Sequence, residues 1–167
     1  IAFRVPEMID GGFAMAAAHS DSPAFRLKEH PDRRSAHYVQ LSTEKYGGML
    51  MSTWFDRPLS VAGRVFVRAN GEIVEKLVSV DRDLLVIPSL AIHFQRDVNK
   101  GKVFNPQIDM QPLWGPAGSR TLTDLICEEL GITAEEILDW DLQLVTRQAP
   151  VQIGPDNEYF MLSLIHI

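Results

Sequence analysis

Arg64-Val65-Phe66-Val67-Arg68-Ala69-Asn70-Gly71-Glu72-Ile73-Val74-Glu75-Lys76-Leu77-Val78-Ser79-Val80 is the best local signal in the chain. Arg64 to Ala69 alternates around Val65 and Val67, and Glu72 to Val80 carries Ile73 and Val74, so both arms read as strands. Asn70-Gly71 tolerates the positive φ angles of a type I′ turn, whose twist matches the strands it joins. The stretch predicts a β-hairpin. Working outward, Tyr38 to Thr43 sets Val39, Leu41 and Thr43 against Tyr38, Gln40 and Ser42, a strand that Gly47 and Gly48 break. Leu142 to Thr146 alternates in the same way. Leu84 to Ile87 is a short apolar run ended by Pro88, and Leu90 to Phe94 reads as one turn of helix carrying His93. Asn99 to Gly118 is loop by composition, with Pro106, Pro112 and Pro116. Beyond it Leu122, Leu125, Ile126 and Leu130 recur at helical spacing, Thr121 and Asp124 suit the start, and Gly131 suits the C′ position. A shorter helix is expected from Thr133, with Glu136 completing a capping box. Ala149 to Asn157 is a turn-rich connector, and Tyr159 to Ile167 an apolar strand.

Nearer the start, Phe13 to Ala18 is a short apolar run between Gly12 and the His19-Ser20-Asp21-Ser22-Pro23 segment. Length and flanks suggest a buried strand running into a loop, while its four alanines leave helix as the alternative. This stretch reads as the opening of an α/β unit, strands dominate Gly63 to Val80, and helix dominates Thr121 to Leu138. Two structural units follow, with the change near Trp54 to Gly63.

The 167 residues suffice for one ordinary domain with a real core. With 46% hydrophobic residues and 23% charged ones, the composition is that of a globular protein. A net charge of −6 and a pI near 5.3 argue against a nucleic-acid partner, which needs a face rich in Lys and Arg. No apolar run approaches the roughly 20 residues of a membrane helix, so no membrane partner is expected. The single cysteine, Cys127, cannot form an internal disulfide, and a reducing, cytoplasmic setting is the expectation. The chain starts at Ile1 without a signal-peptide pattern and stops at Ile167 without a turn or cap. Both ends are expected to be those of a piece of a longer polypeptide.

Chemistry could reside in few places. His19 and Asp21 stand two apart at the expected carboxyl end of the first strand, where ligands of open α/β sheets gather. An extended backbone would send both side chains from one face, one imidazole for a metal and one carboxylate to orient a neighbour. From spacing alone the favoured reading of the same residues is a loop that hydrogen-bonds its own backbone before Pro23. His93 lies among Leu90, Ala91, Ile92 and Phe94, the setting of a neutral core histidine. His30 and His37 flank Pro31-Asp32-Arg33-Arg34, read as a solvated loop. Asp56 and Arg57, after Trp54 and Phe55, are either a structural ion pair or a carboxylate clamp, the first being favoured. Cys127 is expected to be a small buried hydrophobe. No Gly-rich phosphate loop, CxxC, HExxH or GxSxG pattern occurs.

Four blocks taken together resemble the aspartyl aminopeptidase family of dinuclear zinc metallopeptidases. They are Ala18-His19-Ser20-Asp21-Ser22-Pro23, Tyr46-Gly47-Gly48, Ser52-Thr53-Trp54-Phe55-Asp56-Arg57-Pro58-Leu59-Ser60-Val61-Ala62-Gly63-Arg64-Val65 and Ile87-Pro88-Ser89-Leu90-Ala91-Ile92-His93. The resemblance implies an α/β fold, a catalytic α/β domain interrupted by a β-rich dimerisation domain. On that pattern residues 1–57 open the catalytic domain, 58–150 form the dimerisation domain with its helices, 151–163 begin the return, and 164–167 stand outside the family pattern. It implies two Zn2+ ions, a peptide substrate with a preferred acidic first residue, metal-assisted hydrolysis, and self-association through the dimerisation domain. Residue by residue, His19 matches the first zinc ligand and Asp21 the carboxylate that orients a ligand. His93 matches the second motif histidine, either a zinc ligand or a group that reaches a neighbouring subunit's active site. Where the family shows an Asp that bridges the metals, this chain has Leu164-Ile165-His166-Ile167. The remaining ligands and the glutamate base are therefore expected downstream, and the chain alone is expected to be inactive and to bind zinc weakly. The alternative reading is a non-catalytic assembly module.

Overall fold

The alternation of apolar and polar residues in five stretches decides the architecture, because each such stretch has one face to bury. A computed structural model gives the fold and describes residues 14–17 and 22–161. Strands β1 (Ala24–Arg34), β2 (Tyr38–Tyr46), β3 (Leu59–Ala69) and β4 (Glu72–Ser79) come first. They are followed by β5 (Leu113–Pro116), helix α1 (Leu122–Leu130) and β6 (Ile137–Thr146). Six strands form one antiparallel sheet in the order β4-β3-β6-β1-β2-β5. A separate small hairpin pairs β7 (Val151–Ile153) with β8 (Tyr159–Met161).

The expected hairpin is β3–β4, paired without a break from Ala69↔Glu72 to Ala62↔Ser79. Asn70 (φ 53°) and Gly71 (φ 85°) take the two positive angles of the type I′ turn. Val65 and Val67 of β3, Leu142 and Leu144 of β6, Leu27 of β1 and Leu41 of β2 are buried in one cluster. Helix α1 adds Leu122, Leu125 and Ile126 to it. Each such side chain contributes roughly 1.5–3 kcal/mol when removed from water. The helix starts as its sequence predicts. The Thr121 side chain accepts the Asp124 N–H at 3.0 Å, and the Asp124 carboxylate accepts the Thr121 N–H at 2.8 Å. Gly131 ends it in the left-handed region. Gly63 has a close-approach role: a Cβ there would collide with the Asp141 carbonyl of β6, so any side chain would push β3 away from its neighbour.

The described residues hold a predominantly antiparallel sheet and a single nine-residue α-helix, the β-rich part of the expected fold, with no α/β unit among them. Several expectations about single elements are corrected. Ala14 to Ala17, inside the expected first strand, are exposed and without regular structure. The helix expected at Leu90 to Phe94 is a turn closed by the Phe94 N–H to the Ala91 carbonyl (2.9 Å). The second helix shrinks to one 3-10 turn, Ala134–Glu136, although its capping box is formed. Ile137 and Leu138 instead open β6, because pairing with β3 from Val67 to Leu59 satisfies their backbone better than a continued short helix would. The expected loop after Asn99 contains β5, an edge strand whose flanking Pro112 and Pro116 are compatible with an edge. The segment with His30 and Pro31 is a bulge in β1, where the register slips between Leu27↔Thr43 and Asp32↔Leu41. There Asp32 is half-buried and accepts the Leu122 N–H at 3.2 Å, at the start of α1. Strands on both sides of Trp54 to Gly63 belong to the one sheet, β1 and β2 before it and β3, β4 and β6 after it.

Candidate functional site

Between Ile87 and Leu113 the chain leaves the sheet and returns, and this excursion carries His93. Its root is built from the Trp54-Phe55-Asp56-Arg57 block. Phe55 bridges Ile87 in parallel, and the Asp56 N–H donates to the Ile87 carbonyl at 3.0 Å. Asp56 itself stands at φ 56°, a left-handed conformation that Asp tolerates better than most residues. From there its Oδ1 accepts the Ser89 N–H at 2.9 Å. The return leg is closed by the Leu113 N–H to the Val86 carbonyl at 2.8 Å. The Asp56–Arg57 ion pair is not formed; Asp56 does its structural work through backbone groups, and Arg57 Nε is buried without a hydrogen-bond partner.

Inside the excursion, the Asp109 carboxylate accepts Lys102 Nζ at 2.9 Å and the Asn105 N–H at 2.7 Å. Burial pushes the Asp109 carboxyl up, but the Lys102 ammonium and the Asn105 N–H together hold it below the usual carboxylate range. Gln111, buried, ties the segment to β2: its Oε1 accepts the Thr43 N–H at 2.9 Å and its Nε2 donates to the Pro106 carbonyl at 2.8 Å. Phe55 and Phe104 pack with centroids 5.0 Å apart. Between these walls lies a cavity of about 470 Å³ whose lining includes Gln40, Phe55, Asp56, Leu90, Phe104 and Asp109. Along the excursion Leu90, Ile92, Phe94, Val103 and Ile108 are exposed, Phe94 at 83% and Val103 at 90%.

His93 sits in the turn Ile92–Phe94 and is exposed, not enclosed in a core as its apolar neighbours suggested. His19 and Asp21 lie outside the described residues. Among the described residues no three of His, Cys, Asp and Glu are gathered closely enough to hold a metal ion. The described part therefore does not by itself fit a zinc centre. Cys127 is half-buried on α1; burial first, then Asp124, Glu135 and Glu136, raise its thiol above the ordinary value, which suppresses the thiolate. The sequence marks Asp56 as structural but not its partner, since nothing in Phe55-Asp56-Arg57 signals a left-handed Asp; the one available clue is that a loop beginning Pro88-Ser89 needs an acceptor for its first free N–H.

The sheet, its capping helix and its clamped excursion form a β-rich unit, and no complete metal centre is seen among the described residues. The chain belongs to the family described as aminopeptidase I zinc metalloprotease (M18), whose model matches residues 1–163. A probable M18 family aminopeptidase 2 of Clostridium acetobutylicum is 44% identical over 160 residues, covering 91% of this chain and 37% of the relative. A cryo-EM structure of the Ape4 and Nbr1 complex is similar with a TM-score of 0.77 and 34% identity, covering 85% of this chain and 31% of that one. The S. cerevesiae mApe1 dodecamer, at 23% identity and a TM-score of 0.66, shares the fold; 85% of this chain covers 33% of it. The chain thus spans about 37% of the length of the curated relatives it matches.

Proposed function

We propose that this chain is the N-terminal part of a zinc-dependent aminopeptidase acting on peptides with an acidic first residue, and that its six-stranded sheet serves self-association. The observation that carries the reading is the family match through residues 1–163, over a described region that holds a packed sheet and no metal site. In this reading the segment before β1 belongs to an α/β catalytic domain that β7 and β8 lead back into. The sheet shared by β1, β2, β3 and β6 supports placing the boundary ahead of β1 in preference to residues 57–58. His19 acts as a ligand of one of two zinc ions and Asp21 orients a ligand from behind it. His93, exposed at the end of a clamped excursion, serves a neighbouring copy's site better than its own. The protein works in a reducing, cytoplasmic setting, and the 167 residues alone are inactive. Dodecameric assembly, named for the yeast relative, supports the self-association part of the reading.

The test uses the full-length reading frame and peptides that begin with Asp or Glu. His19→Ala is expected to abolish their hydrolysis with the thermal melt unchanged; hydrolysis near the wild-type rate removes His19 from the site. Titration calorimetry on the 167-residue chain is expected to give no submicromolar zinc binding, and tight binding would mean that a metal site is complete within it.

A further inference from the structure

The two edges of the main sheet differ in kind. At one end β5 is only four residues long, ends in Pro116 and is preceded by Pro112. Such an edge accepts no further strand easily, because proline offers no N–H. At the other end β4 runs eight residues with no proline and no bulge. The two-residue turn makes Ala69↔Glu72 a hydrogen-bonded pair, so Glu72, Val74, Lys76 and Val78 aim their backbone groups at β3. Val80, next in the same phase, does so with its N–H on the Val61 carbonyl at 3.0 Å. Ile73, Glu75 and Leu77 therefore turn their N–H and C=O groups to an edge that no other strand among the described residues occupies. Their side chains share one face with Arg64, Phe66 and Arg68 of β3, and Ile73 is 71% exposed and Leu77 75%. An edge of this length with exposed apolar side chains and unpaired backbone groups is a template for another strand.

We propose that the occupant is β4 of a second copy, paired antiparallel about a two-fold axis at Val74, so that two six-stranded sheets become one continuous sheet. This rests on the self-association reading above and names the surface that performs it. Charge selects the register. With the axis at Glu75, Glu75 would stand directly opposite itself, and with the axis at Lys76, Lys76 would; like charges in that position repel. With the axis at Val74, Glu72 of each copy faces Lys76 of the other, Val74 faces Val74, and Ile73 faces Glu75. Lys76, half-buried beside the Leu130 carbonyl at the end of α1, is already held where such a pair needs it. The contact uses the same patch on both copies and closes on itself, and the proline-guarded β5 keeps it from growing into a filament.

The experiment measures the mass of the 167-residue chain by sedimentation and cross-links it through introduced cysteines in a Cys127→Ser background. The wild type is expected at twice 18.8 kDa. Glu75→Pro removes an N–H that β3 does not use and is expected to return the mass to that of one chain with the circular dichroism unchanged. Val74→Cys is expected to give a disulfide dimer under mild oxidation, since non-hydrogen-bonded antiparallel partners bring their Cα atoms to about 4.5 Å. Leu77→Cys, whose counterpart would be Gly71 of the other copy, is expected to give none. A Glu75→Pro chain that is folded and still dimeric would overturn the β4 edge while leaving self-association standing. A monomeric wild type would overturn both. If Glu75→Pro does not fold, the cross-links decide: a dimer through Val74→Cys and none through Leu77→Cys supports the pairing, and any other pattern overturns it.

Discussion

Asp56 shows how one carboxylate can hold a large excursion in place. Its left-handed backbone lets Oδ1 reach the Ser89 N–H while its own N–H holds the Ile87 carbonyl. Removing the carboxylate leaves the Ser89 N–H to water and the strained backbone without compensation. Asp56→Ala is therefore expected to lower the unfolding free energy by about 1–2 kcal/mol. Asp56→Asn keeps an acceptor and tolerates the same backbone region, so it is expected to cost well under half of that. Urea unfolding of both variants checks the difference, and equal losses would assign the effect to charge and not to the hydrogen bond. At Gly63 the constraint is of the opposite kind, a contact that only a missing side chain permits.

Elements with a purely local cause are those the sequence predicts well. The Asn70-Gly71 hairpin, the β2 alternation and the capped α1 all stand where local chemistry puts them, because turn angles, period and caps are decided within a few residues. Thr121→Ala, which removes the acceptor for the Asp124 N–H, is accordingly expected to destabilise the protein by about 1 kcal/mol, seen as a lower thermal midpoint with the helix still formed. Elements with a distant cause are the ones misread. Ile137 to Trp140 lacks a clean period and is drawn into β6 by its pairing with β3, some 70 residues earlier in the chain. β5 hides among prolines because its partners, β2 and Val86, lie far away in the sequence. The site is legible to a lesser degree. The motif singles out His93, but its exposed place at the turn depends on the Asp56–Ser89 and Leu113–Val86 hydrogen bonds, which no spacing rule encodes.

At the scale of the molecule, acid stability follows from the carboxylates. Asp109 has its folded pKa depressed, and a group of this kind contributes stability above its unfolded value that is lost as pH falls through the folded one. Hydrogen bonds from Thr121 depress Asp124, and Arg120 depresses Glu128; both carboxylates are exposed and contribute less. Asp32 runs the other way: burial raises its pKa, so its share of stability declines as pH rises from the unfolded value through the raised one. The urea midpoint is therefore expected to fall as pH drops below the ordinary carboxylate range, and Asp109→Asn to flatten that fall. A slope unchanged in the variant would mean that other groups govern it. The strand order has a further consequence, for the time course of synthesis. β6 lies between β3 and β1 although it is made last of the six, after both flanking hairpins have left the ribosome. Until residue 146 has emerged, those two ribbons have no hydrogen bonds to each other, and each exposes a long unmatched border. The nascent chain therefore passes through a vulnerable interval that closes in a single late step, the insertion of its central plank.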